Sequence, residues 1–110
     1  MTSQHTALAA GRWNQLSFVE QMANIGSDVE RALNWRSKNQ PAYAQRAFER
    51  ALELVDLTLV SVQGMARRKE VARVREALVD YFAGDNRYAS TDVSWRRYFL
   101  AFAYAARRAR

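Results

Sequence analysis

A single proline and four glycines punctuate 110 residues. So few breakers force long, uninterrupted elements, and the apolar residues recur at helical spacing. Ser17 and Glu20 form an S-x-x-E capping box, in which each side chain satisfies a backbone N–H at a helix start. Phe18, Met22, Ile25, Val29 and Ala32 or Leu33 follow at steps of three and four. Glu20, Asn24, Asp28, Arg31 and Lys38 fall off that stripe. Gly26 lies inside it and suggests a close helix crossing. Pro41 suits the first position of a second helix, where its missing N–H costs nothing. Tyr43 or Ala44, Ala47, Phe48, Ala51, Leu52, Val55 and Leu59 carry that helix. The β-branched run from Leu57 to Val62 reads as its fraying end, with Gly64 as the stop.

Val71, Val74, Leu78, Tyr81 and Phe82 define a third stripe, closed by Gly84 and the turn Gly84-Asp85-Asn86. Ser90 or Thr91 caps a fourth helix carrying Trp95, Tyr98, Phe99, Phe102, Ala105 and Ala106. Arg107, Arg108 and Arg110 suit the negative end of its dipole. The expected fold is all-α: a single-domain antiparallel (up-down) four-helix bundle over residues 17–110, with helices near 17–38, 41–62, 66–83 and 92–108. Residues 1–16 read as a flexible arm, with Trp13 and Leu16 docking on the bundle. Trp35 and Trp95 are expected to seal its ends.

The chain is 49% hydrophobic and 25% charged, as globular domains are. At this length one modest core is affordable, and a deep walled active site beside it is not. There is no cysteine, which excludes disulfides and thiolate metal sites. The first residues do not read as a signal peptide, and no window approaches a membrane span. A cytoplasmic protein is therefore expected.

Catalytic groups are hard to assemble. The one histidine, His5, sits in the arm without a positioned partner. Nucleophile elbows, P-loops and dinucleotide fingerprints are missing, as is the E-x-x-H of bundle di-metal sites. Glu49 with Glu53, and Glu76 with Asp80, read as surface ion-pair partners. Arg46–Glu49 and Arg50–Glu53 are expected to pair along the second helix. The expectation is no catalytic residue, no metal, no cofactor and no small-molecule substrate.

Basic residues are the stronger lead. Residues 1–55 hold six Lys/Arg and five Asp/Glu, net +1; residues 56–110 hold eleven and six, net +5. Arg67, Arg68, Lys69, Arg73 and Arg75 on the third helix, with Arg96, Arg97, Arg107 and Arg108 on the fourth, would merge into a phosphate-binding stripe if the helices are adjacent. The plainer reading is a solvated surface, because fifteen of seventeen basic residues are Arg. Asp85, Asn86, Arg87 and Tyr88 form a candidate contact loop; the plainer reading there is a turn packed by its own tyrosine. The aromatics lie on core stripes, so base stacking is not indicated.

Four stretches resemble an uncharacterised family of small bacterial helical-bundle proteins. They are Asn24-Ile25-Gly26-Ser27-Asp28-Val29, Arg50-Ala51-Leu52-Glu53-Leu54-Val55-Asp56-Leu57-Thr58, Asp80-Tyr81-Phe82-Ala83-Gly84-Asp85-Asn86-Arg87-Tyr88 and Tyr98-Phe99-Leu100-Ala101-Phe102-Ala103. More distantly, the layout resembles the HEPN and nucleotidyltransferase substrate-binding four-helix bundles of prokaryotes. The RNase members of that superfamily carry an Arg followed four to six residues on by a His. Here Arg96 and Arg97 are followed by Tyr, Phe, Leu and Ala. The resemblance therefore implies a non-catalytic accessory or antitoxin-like role. Two functions are expected on these grounds. One is a module that binds a protein partner, or a second copy of itself, in a prokaryotic complex. The alternative is a small basic subunit that contacts RNA or DNA phosphates through helices 3 and 4.

Overall fold

Four complete helices make up most of the chain: α1 (Phe18–Ser37), α2 (Pro41–Ser61), α3 (Met65–Ala83) and α4 (Asp92–Arg108). The structure is a computed structural model and describes residues 11–109, among which there is no strand. His5, with the first ten residues of the expected arm, and Arg110 lie outside the described residues.

The starts follow their sequence signals. Ser17 Oγ accepts from the Glu20 N–H at 3.1 Å, and Glu20 Oε1 accepts from the Ser17 N–H at 2.9 Å. Thr91 caps α4 in the same reciprocal way with Ser94, each bond 2.9 Å. Pro41 opens α2. Gly64 acts differently from expectation. The second helix ends at Ser61, and Val62 is extended. Gly64 instead precedes the first residue of α3 with φ +92°, a conformation glycine enters without a Cβ penalty.

α1 packs against both α2 and α4, and α3 packs against α2. α3 and α4 make at most marginal backbone contact. The core draws Met22, Ile25, Val29 and Leu33 from α1, Phe48, Ala51 and Val55 from α2, Val71, Val74 and Leu78 from α3, and Trp95 and Phe99 from α4. Each large apolar side chain buried in this way contributes about 1.5–3 kcal/mol. Gly26 lets α4 approach α1: a Cβ built there would stand 2.7 Å from Phe99 Cβ.

The described end of the expected arm is firmly seated. Residues 11–13 are helical and Trp13 is buried. Its Nε1–H donates to Thr58 Oγ1 at 2.8 Å, and its carbonyl accepts from Gln21 Nε2 at 2.9 Å. Thr58, fully buried on α2, donates its hydroxyl O–H to the Leu54 carbonyl at 2.8 Å. Trp35 is half-buried and stacks on Tyr43 at 4.7 Å, while Trp95 belongs to the core.

Several charged side chains depart from expectation. Asp28 is buried rather than off the apolar stripe. It meets Arg31 on its own helix and Arg50 of α2, the latter at 3.3 Å. Burial raises its pKa above the ordinary aspartate value, and Arg50 and then Arg31 pull it back in part. Arg46 lies over the Tyr43 ring, and Glu49 accepts from Gln45 at 3.1 Å.

Candidate interaction surface

α4 is committed on three sides. Trp95, Phe99 and Ala106 face the core. On the α1 side, Arg96 Nε donates to Glu30 at 3.0 Å and its Nη2 to Asn34 Oδ1 at 3.0 Å. On the α3 side, Tyr98 OH donates to Glu70 Oε2 at 2.6 Å. Burial, then this bond to a carboxylate, pushes the Tyr98 hydroxyl well above the usual tyrosine range. At 100° per residue, Val93, Arg97, Leu100 and Tyr104 project opposite the core, at successive steps of four, three and four. Val93, Leu100 and Tyr104 remain 61%, 62% and 56% exposed. That spacing is the seam a helix offers to a partner helix. Beside it, Ala23 and Gly26 of α1, with Leu100 and Ala103 of α4, line a shallow apolar groove of about 650 Å³.

The expected basic residues separate into several directions. Arg75 pairs with Asp56 of α2 at 2.7 Å, and Arg68 donates to the Val62 carbonyl at 3.2 Å. The Arg67 guanidinium lies 4.9 Å from the Phe18 ring centre. Lys69 and Arg73 instead line a cleft between α3 and α4. Arg96 is held on the α1 side by Glu30. Arg97 sits on the outer seam of α4; Arg107 and Arg108 are exposed at its end, Arg108 5.6 Å from the Tyr104 ring centre. Among the described residues, Arg97, Arg107 and Arg108 have no ion pair.

The loop of Asp85, Asn86, Arg87 and Tyr88 is built by a residue expected on an ion-paired surface. The Asp80 carboxylate accepts from the backbone N–H of Arg87 at 2.8 Å and of Tyr88 at 3.0 Å. Asn86 adds a two-way bridge to the Ser90 backbone, at 2.8 and 3.0 Å. Tyr88 remains exposed, its hydroxyl 3.4 Å from Glu76. The Asp85 and Arg87 side chains are exposed and unpaired in this loop. At the same end of α3, Arg36 lies 4.7 Å from both the Tyr81 and Phe82 ring centres. It bonds Asp92 at 3.2 Å, and Asp92 also accepts from Tyr81 OH. The only acidic residue of α4 is therefore engaged internally.

No group of three or more His, Asp or Glu side chains able to hold a metal occurs among the described residues, and no helix among them is long and apolar enough to cross a membrane. Compared with protein-family models, curated proteins and solved structures, the chain matches none.

Proposed function

We propose that this protein is a non-catalytic interaction module of a prokaryotic complex: an antiparallel four-helix bundle of HEPN-like layout that binds a protein partner along the outer face of α4. The observation that carries this reading is the row Val93, Leu100 and Tyr104, exposed on the side of α4 opposite its core face. A helix that covers one apolar face and leaves another uncovered has room for a partner. Arg97, Arg107 and Arg108 bring unpaired positive charge to that row, so a partner helix with apolar anchors flanked by carboxylates fits it. A second copy of the chain fits less well, because it would set α4 arginines against α4 arginines without a free carboxylate.

The alternative, a nucleic-acid subunit contacting phosphates through α3 and α4, draws on the same unpaired arginines. It is weakened by Arg75 and Arg96, which spend their charge on Asp56 and Glu30. A photo-crosslinking residue placed at Leu100 or Tyr104, and as a control at Glu49 on α2, tests the choice in the source cells. The expected result is one discrete protein adduct from the two α4 positions and none from Glu49. A nuclease-sensitive adduct, a self-adduct or equal labelling at all three positions would overturn it.

A further inference from the structure

We infer that the turn between α1 and α2 binds single-stranded nucleic acid by stacking its bases. The turn is tight and internally tied: Gln40 N–H donates to the Trp35 carbonyl at 2.9 Å, and Asn39 takes a left-handed φ of +59°. It sets Trp35, at the end of α1, against Tyr43, in the first turn of α2, with ring centres 4.7 Å apart and planes 29° from parallel. Ala44 takes the core position on α2 and Tyr43 stays 47% exposed, so base stacking, not indicated by the sequence, has a platform here. A stacked face cannot also hold a cation. The outer faces therefore belong to Lys38, whose Nζ lies 5.5 Å from the Trp35 ring centre, and to Arg46, whose Cζ lies 4.8 Å from that of Tyr43. The surface uses none of the residues of the outer α4 row.

Charge and stacking strength together set the ligand class. Residues 31–48 contain four cations and no Asp or Glu. Arg31 and Arg36 are spent on Asp28 and Asp92, whereas Lys38 and Arg46 have no ion pair among the described residues. Glu49, one turn beyond Arg46, accepts from Gln45 instead. A cation over an exposed ring is held more weakly than a base stacked on an aromatic. A base therefore displaces Lys38 or Arg46 from its ring, and the freed cation, on a long flexible stem, reaches the adjoining phosphate. An acidic peptide would supply the charge without the flat partner. A nucleotide strand supplies both at every unit, and its base faces are open only where it is single-stranded.

The test titrates a fluorescein-labelled oligothymidylate with the full chain at low salt and follows its anisotropy, beside an abasic strand of equal length and labelled poly-glutamate. The expected result is saturable binding of the oligothymidylate, with the abasic strand at least about tenfold weaker, the order expected for one stacked base. Tyr43→Leu should weaken binding about tenfold, and Lys38→Gln/Arg46→Gln should weaken it and flatten its salt dependence. Lys69→Gln/Arg73→Gln, on α3, should bind as the parent does. Circular dichroism checks each fold; should Tyr43→Leu lose its helical spectrum, the exposed Lys38 and Arg46 pair makes the comparison. No binding at low salt, equal binding of the abasic strand, tighter binding of poly-glutamate, undiminished binding by either folded turn variant, or a loss confined to the α3 variant overturns the inference.

Discussion

Gly26→Ala sets two opposing effects against each other at the α1–α4 crossing. On an exposed helix face the substitution stabilises by about 1 kcal/mol, because alanine loses less backbone entropy. At Gly26 the new Cβ would lie 2.7 Å from Phe99 Cβ, 2.9 Å from its Cγ and 3.0 Å from its Cδ1. Relaxed carbon–carbon contact is about 3.5–4.0 Å, so roughly 1 Å must be recovered. Phe99 Cβ is fixed to its backbone and cannot swing away; α4 itself has to retreat, loosening the Phe99 stack on Trp95. Overpacking of this kind costs about 1–3 kcal/mol. With the contact at the severe end of that range, the net loss should be about 1–2 kcal/mol. That corresponds to a fall in Tm of roughly 5–15 °C for a domain of this size. Urea unfolding followed by circular dichroism measures it, with Ser27→Ala on the exposed face of the same helix as reference. In a Phe99→Ala background the penalty should shrink but persist, since the Cβ–Cβ contact remains. A Gly26→Ala protein as stable as the parent, or more so, would refute the close crossing.

Two further perturbations address buried polar groups. Thr58→Val keeps the shape and deletes the hydroxyl, so Trp13 Nε1–H loses its acceptor; a loss of about 1–3 kcal/mol is expected, together with faster exchange of the Trp13 indole proton. Unchanged stability and exchange would mean that the tryptophan is held by packing alone. For Asp28, burial raises the folded-state pKa above 3.8, so the folded state holds the proton more tightly than the unfolded one. The stability contributed by this linkage is therefore fully present below 3.8 and is lost as pH rises through the folded pKa. Stability of the parent minus that of Asp28→Asn, measured by urea unfolding across acid pH, should fall as pH increases. A difference that rises with pH would show that Arg31 and Arg50 outweigh desolvation.

Local signals in the sequence reach as far as contacts within a turn or two. The Ser17–Glu20 capping box, Pro41, the Thr91 cap and the three-and-four stripes each depend on neighbours in the chain, and each gives a helix near its expected bounds. Asp28 was out of reach because its burial depends on α2 bringing Arg50 to it. Asp80 was out of reach because its partners are backbone N–H groups, which carry no side-chain signature. The basic stripe failed to appear as one surface for a geometric reason. Successive helical residues point about 100° apart, so Arg67, Arg68 and Lys69 diverge toward Phe18, the Val62 carbonyl and the α3–α4 cleft.

The same rotation sets the outer face of α4 apart from its core face. Its sequence places large apolar or aromatic groups on nearly every side: Trp95 and Phe99 inward, Tyr98 toward α3, and Val93, Leu100 and Tyr104 outward. In this fold α1 covers one side of α4, while α3 leaves a cleft on another and, among the described residues, nothing covers the third. Exposed side chains contribute little to the stability of the isolated domain, where substitutions usually change it by less than about 0.5 kcal/mol. Leu100 and Tyr104 therefore owe little to folding. Their place beside unpaired arginines distinguishes the outer face of α4 from the ion-paired surfaces around Arg75 and Arg96.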